Sequence, residues 1–155
     1  MITDGFLTLS GTATGSGITG QTVTGTNTSV TSTNVIDLQV ARDIGKGAAL
    51  EVIIETVTAA SGGTSVQFQL VQADDAAIST NVQVIVQTDA IAVATLTAGT
   101  QIPLHVDRVD PYPARRYLAL RYALVGAVAA GAYYATLAHN VPDKQVNYAS
   151  GFTVL

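Results

Sequence analysis

Few residues of this sequence are of the types that bind metals or transfer protons, and they are scattered. His105 stands two positions before Asp107, with Asp110 close behind, so one imidazole and two carboxylates could approach a metal ion. A zinc site needs three or four strong ligands at regular spacing, which this group lacks. We interpret His105 as a strand residue with a partly solvated ring. The chain has no cysteine and no Gly-x-Ser-x-Gly nucleophile motif, so we predict no catalytic residue, no metal, no cofactor and no enzyme.

Residues 15–20 match a nucleotide-binding pattern. They read Gly-Ser-Gly-Ile-Thr-Gly, the glycine spacing of a dinucleotide-binding loop. That loop works only between a hydrophobic strand and a helix whose N-terminus faces the pyrophosphate. The flanking residues, 11–14 and 21–25, are mainly threonine and glycine, and we therefore predict no nucleotide site.

Arginine and tyrosine are concentrated between residues 108 and 121, which hold four of the seven basic residues. These two side chains often anchor protein interfaces, because they combine contact area with directed polar groups. The competing interpretation is a solvated loop whose arginines pair with Asp107 and Asp110. Both interpretations stay open. The candidate interface residues of this cluster are Arg108, Asp110, Tyr112, Arg115, Arg116 and Tyr117.

A smaller charged group consists of Asp37, Arg42 and Asp43, followed by two glycines in the next four residues. Carboxylates at a turn commonly accept hydrogen bonds from nearby backbone N–H groups. We interpret this group as a structural turn in which the carboxylates cap the backbone and pair with Arg42.

The composition excludes several classes of partner. Only 12% of the residues are charged, and the net charge is −4; a typical globular chain has about 25% charged residues. An acidic chain lacks the cationic surface that nucleic-acid binding needs. Residues 117–138 carry one charge but are mainly alanine, glycine and tyrosine, and we interpret them as two strands joined within 126–131. We predict no nucleic acid and no membrane partner, and the N-terminus shows no signal peptide.

Alternating apolar residues predict a series of short strands. Valine, isoleucine and threonine make up 50 of the 155 residues, and β-branched side chains favour strands. About eight strands separated by glycine-rich turns indicate an all-β fold, an antiparallel jelly-roll-like β-sandwich. The predicted strands cover residues 6–10, 34–39, 50–56, 66–70, 82–87, 91–96, 102–106, 118–124 and 133–139.

The segment from Ser10 to Thr33 differs from the rest, with nine threonines, four serines, five glycines and no charge. We predict a neutral arm that orders against a neighbouring molecule, or else a long loop. This divides the chain into residues 1–33, with an N-terminal strand and the arm or loop, and a sandwich domain over 34–155. We expect deletion of residues 18–30 to weaken binding to this neighbouring molecule without unfolding the domain. The candidate contact residues of the segment are Ile18, Val23 and Val30.

Four stretches resemble the jelly-roll capsid cement (decoration) proteins of tailed phages, as in a Bordetella phage. They are Ser32–Leu38, Ala41–Gly47, Arg116–Tyr122 and Tyr148–Val154. The resemblance implies a jelly roll made in the bacterial cytoplasm. It also implies a place on the outer surface of the icosahedral shell, where the chain binds and cross-bridges major capsid protein subunits to stabilise the head.

The resemblance also makes self-association an expectation, since an oligomer can bridge subunits at a symmetry axis. We predict a homo-oligomer, with a dimer favoured over a trimer. The alternative function is a carbohydrate- or receptor-binding β-sandwich of a phage tail or fibre. Sugar sites usually stack their ligand on exposed aromatic rings, whereas this chain has no tryptophan and only 6% aromatic residues.

Overall fold

The computed structural model describes residues 5–42, 50–106 and 113–139. They form two six-stranded antiparallel sheets packed as a sandwich and a separate two-stranded sheet. The all-β prediction is confirmed. Two single turns of 3-10 helix occur, at Gly5–Leu7 and Val93–Thr95. The strands are β1 (Thr8–Ser10), β2 (Thr12–Thr14), β3 (Gly17–Thr19), β4 (Gln21–Thr22), β5 (Gly25–Thr26), β6 (Ser29–Thr31), β7 (Ile36–Asp37), β8 (Leu50–Gly62), β9 (Ser65–Ala73), β10 (Gln83–Gln87), β11 (Ile91–Ala92), β12 (Gln101–Val106), β13 (Tyr117–Val125) and β14 (Ala127–His139).

The strand order is that of a jelly roll. One sheet has the order β1-β14-β8-β12 and the other β10-β9-β13-β6. Among these eight strands the chain changes sheet at every connection except β9 to β10. Such alternation between two packed sheets defines the jelly-roll topology. The short strands β4 and β5 also pair with β14, β7 also pairs with β13, and β11 also pairs with β9.

The core lies between the two sheets and contains three aromatic rings. Strand β9 places Val66, Phe68 and Leu70 in this core, as its period of two residues predicts, although its other face is largely buried as well. The ring of Phe68 meets those of Tyr122 and Tyr133 edge-on, at centroid distances of 5.6 and 5.2 Å. The two tyrosine rings stack at 5.4 Å.

Apart from β2 and β3, the strands of the threonine-rich segment pair with the sandwich, which corrects the prediction of a wholly separate arm. Strands β1, β4 and β5 pair with β14, and β6 pairs with β13. An edge strand leaves a row of backbone N–H and C=O groups unpaired, and this segment satisfies them. The boundary predicted after residue 33 separates β6 from β7, yet both of these strands pair with β13.

Some predicted strands differ in extent from the observed ones. Residues 34–39 contribute only Ile36–Asp37, and residues 91–96 divide into β11 and a 3-10 turn. Residues 117–138 form β13 and most of β14, which meet at Gly126. In the described ranges no helix is long and apolar enough to cross a membrane.

Candidate protein-interaction surface

Arg116 is held by an aspartate from a distant part of the chain. Its Nε and Nη2 atoms donate hydrogen bonds of 2.7 Å to the two carboxylate oxygens of Asp37. The two residues meet because β7 pairs with the start of β13. The hydrogen bond from Arg116 lowers the pKa of Asp37 to about 2. The guanidinium also lies 5.0 Å from the centroid of the Tyr117 ring, a cation–π distance.

Arg115 is held in the same way by the loop between β9 and β10. Its Nη1 atom lies 2.5 Å from Oδ2 of Asp74, and its backbone N–H donates to Oε1 of Gln72. Hydrogen bonds from Arg115 and Asn81 lower the pKa of Asp74. In the same loop Asp75 accepts a hydrogen bond from the backbone N–H of Thr80, which lowers the pKa of Asp75 to about 2. These contacts order the loop against the start of β13.

The predicted partners of the arginines need correction. Asp37 pairs with Arg116 rather than with Arg42, and its second contact is the backbone N–H of Gln39, at 2.8 Å. The pairing predicted with Asp107 and Asp110 falls outside the described residues, as do Asp43, Arg108 and Tyr112. The interface role of Arg115, Arg116 and Tyr117 stays a prediction. A partner that used these arginines would compete with the ion pairs they already make.

A strip of polar side chains crosses the outer face of the β13 sheet. Nε of Arg121 donates to Oε1 of Gln69, whose Nε2 donates to the Oε1 atoms of Gln67 and Gln87, at 2.8 to 3.0 Å. The hydrogen bonds among these glutamines were not predicted from the sequence, and Gln69 itself is only 8% exposed. Their signal in the sequence was the alternation of glutamine with buried residues.

His105 lies opposite Glu51 across the β12–β8 pair, with Nδ1 2.8 Å from Oε1 of the carboxylate. Asp107 and Asp110, which we considered with it, lie outside the described residues. Within residues 5–42, 50–106 and 113–139, no group of three or more histidine, aspartate or glutamate residues could hold a metal ion.

The three candidate contact residues of the threonine-rich segment occupy different environments. Val23 is fully buried, its backbone N–H donates to the carbonyl of Gly131, and its side chain belongs to the core. Its assignment as a contact residue is therefore wrong. Val30 packs partly buried against the same core, whereas Ile18 on β3 is 41% exposed.

Ile18 lies on a hairpin that projects from the sandwich. Strands β2 and β3 pair only with each other among the described strands. Every residue from Thr12 to Thr19 is exposed, and none is charged. At the base of the hairpin, a Cβ added to Gly20 would lie 2.9 Å from the backbone nitrogen of Tyr133, so the chain passes tightly against β14. The hairpin therefore offers two unpaired strand edges on an anchored base.

A comparison with known protein families matches the Bbp16 family over residues 18–137. The chain belongs to the Bbp16 family. The family name indicates a protein of a Bordetella phage. No curated protein matches the chain.

The Bbp16 match begins at Ile18 on the exposed hairpin and ends at Leu137 in β14. It therefore includes the main strands from β6 to β13 and most of β14. It also includes the paired arginines Arg115 and Arg116.

Proposed function

We propose that this chain is a capsid decoration protein that binds the outer surface of an icosahedral phage head and bridges major capsid protein subunits. Membership of the Bbp16 family supports a phage origin. The four stretches that resemble phage cement proteins support the finer assignment, and the jelly-roll fold agrees with it.

The observation that carries the proposal is the hairpin of β2 and β3, in which every residue is exposed and none is charged. Charged residues are depleted at the centre of protein interfaces, because their desolvation is costly. The unpaired edges of the hairpin can also accept an extended strand of a partner through backbone hydrogen bonds. A neutral projecting hairpin thus suits attachment to another protein.

Decoration needs no single tight contact. Weak contacts made at several points of one assembled shell add up through effective concentration. A protein that binds the assembled shell but not the free subunits stabilises the shell by mass action. We therefore expect added protein to raise the temperature at which shells that lack it come apart.

The test uses phage shells stripped of this chain, the wild-type protein and a variant without residues 12–19. The ends left by this deletion already meet, since a Cβ on Gly11 would lie 3.2 Å from Cα of Gly20. No buried side chain is removed, so the melting temperature of the variant should match that of the wild type. This replaces the deletion of residues 18–30, which would remove the buried Val23 and the paired strands β4 and β5.

We expect wild-type protein to bind and stabilise the shells, and the variant without the hairpin to bind at least about tenfold more weakly. Ile18→Asp should act in the same direction, with Val40→Asp as the matched control, since Val40 is also exposed. Wild-type protein that neither binds nor stabilises the shells would contradict the proposal. Specific hits on a glycan array would then favour the carbohydrate-binding alternative.

A further inference from the structure

Three turns meet at one end of the sandwich. They are the turns from β5 to β6, from β8 to β9 and from β13 to β14. With the adjoining strand ends they comprise residues 25–29, 61–65 and 125–130, and together we call them the turn end. The backbone N–H of Gly126 donates to Oδ1 of Asn27 at 2.8 Å, and the Asn27 N–H donates back to the Gly126 carbonyl at 3.2 Å. The N–H of Thr64 donates to the carbonyl of Val125 at 2.7 Å.

The turns interlock so closely that side chains would not fit between them. Gly126 has φ +79°, and a Cβ there would lie 2.9 Å from Cα of Gly63. Gly63 has φ +68°, and its Cβ would lie 2.6 Å from Cγ2 of Val128. A surface already fixed by such contacts loses little conformational freedom on binding, which favours affinity.

The turn end carries no charge. Its exposed side chains are small or neutral and include Ala127, Ala129 and the half-exposed Val125. Charges do occur further along the adjoining strands: Asp89 lies two residues before β11, which pairs with the start of β9, and Arg121 lies four residues before Val125 on β13.

The opposite end of the sandwich is charged. Strands β9 and β13 each have nine residues, so their ends lie about 27 Å apart. Beyond the far end of β9 follow Asp74 and Asp75, and just before β13 stand Arg115 and Arg116, paired with Asp74 and Asp37. These ion pairs therefore lie at the end of the described sandwich that is remote from the turn end.

The turn end continues into the exposed hairpin. Strands β4 and β5 lead from the hairpin to the turn at Asn27 along the edge of β14, and no charged residue occurs between Asp4 and Asp37. A partner that contacts the hairpin and follows β4 and β5 to the turn end therefore meets no charged residue of this segment.

We propose that the turn end is the surface that docks on the phage shell, against an uncharged patch of the shell, with the charged end directed away from it. This inference rests on the proposed function and adds the orientation of the molecule. The charge-free interlocked turns meet the two requirements of an interface centre, low desolvation cost and prior order.

The test places one charge of either sign at the turn end. Ala129→Glu and Ala129→Lys are compared with Ala41→Glu and Ala41→Lys, because Ala41 is an exposed alanine outside the turn end. Binding to stripped shells is measured at about 0.05 and 0.5 M NaCl, where screening differs strongly, and the melting temperature reports folding.

We expect both Ala129 variants to bind about tenfold or more weakly, because either charge must be desolvated. The Ala41 variants should bind as wild type does, and wild-type affinity should change little with salt. Undiminished binding by the Ala129 variants, or opposite effects of Glu and Lys, would overturn the inference while leaving the decoration function intact. Absence of wild-type binding would overturn both.

Discussion

The two core tyrosines differ in one hydrogen bond. The hydroxyl of Tyr122 donates to Oγ of the buried Ser10 at 2.6 Å, whereas the buried Tyr133 hydroxyl has no partner among the described residues. Tyr122→Phe should lower the free energy of unfolding by about 1–2 kcal/mol, because the Ser10 hydroxyl loses its donor. Tyr133→Phe should leave stability unchanged or raise it. Urea unfolding of the two variants measures this, and equal losses would contradict the hydrogen-bond assignment.

The same tyrosines should resist ionisation. Burial raises the pKa of Tyr133 to about 12, from an ordinary value of 10.0, and it also raises the pKa of Tyr122. Because the folded pKa is the higher one, these neutral hydroxyls contribute stability that is present below pH 10 and lost as the pH rises toward 12. Absorbance at 295 nm should show their ionisation together with unfolding, followed by circular dichroism. Ionisation of all six tyrosines near pH 10 with the fold intact would contradict it.

The sequence showed where the arginines are concentrated, but not which aspartates pair with them. Arg116 and Asp37 are 79 positions apart, so only the pairing of β7 with β13 brings them together. The concentration of arginine near residue 116 was visible in the sequence. The burial of Val23 was not predictable at all, because nothing in its threonine-rich surroundings distinguishes a core valine from an exposed one.

At the scale of elements, the turn between β13 and β14 should tolerate no side chain. Gly126→Ala would meet both the positive φ and the backbone of Gly63, and we expect a loss of about 1–3 kcal/mol. Gly15→Ala is the matched control, since a Cβ in that hairpin turn has nothing within 4 Å. Thermal unfolding compares the two variants. Equal melting temperatures would show that the turns do not interlock as described.

Strands with a clear period of two residues were predictable, because alternation identifies the buried face locally. This holds for β9 and β13, whose predicted cores at 66–70 and 118–124 fall inside the observed strands. The edge strands β4, β5 and β6 were not predictable, because they contain few apolar residues. Their pairing depends on β13 and β14, about a hundred residues further along the chain.

At the scale of the whole molecule, the charged end should make stability depend on acid pH. Asp37 and Asp75 have pKa values of about 2, below the ordinary 3.8, because of hydrogen bonds from Arg116 and from the backbone of Thr80 respectively. Their ionised forms contribute stability that is present above about pH 4 and lost as the pH falls toward 2.

The double variant Asp37→Asn, Asp75→Asn tests this pH dependence. Its melting temperature should be lower than that of the wild type at pH 6, and it should fall less steeply between pH 4 and 2. Differential scanning calorimetry across this range gives both curves. Parallel curves for the two proteins would mean that these carboxylates do not carry the acid sensitivity.

The proposed decoration function predicts how many copies of this chain a phage particle contains. Quantitative mass spectrometry of purified virions measures the copy number of this chain relative to the major capsid protein. A protein that coats the shell should be present near one copy per capsid subunit, or at a simple fraction of that number. A few copies per particle, as expected for a tail or fibre component, or absence from the particle, would contradict the proposed function.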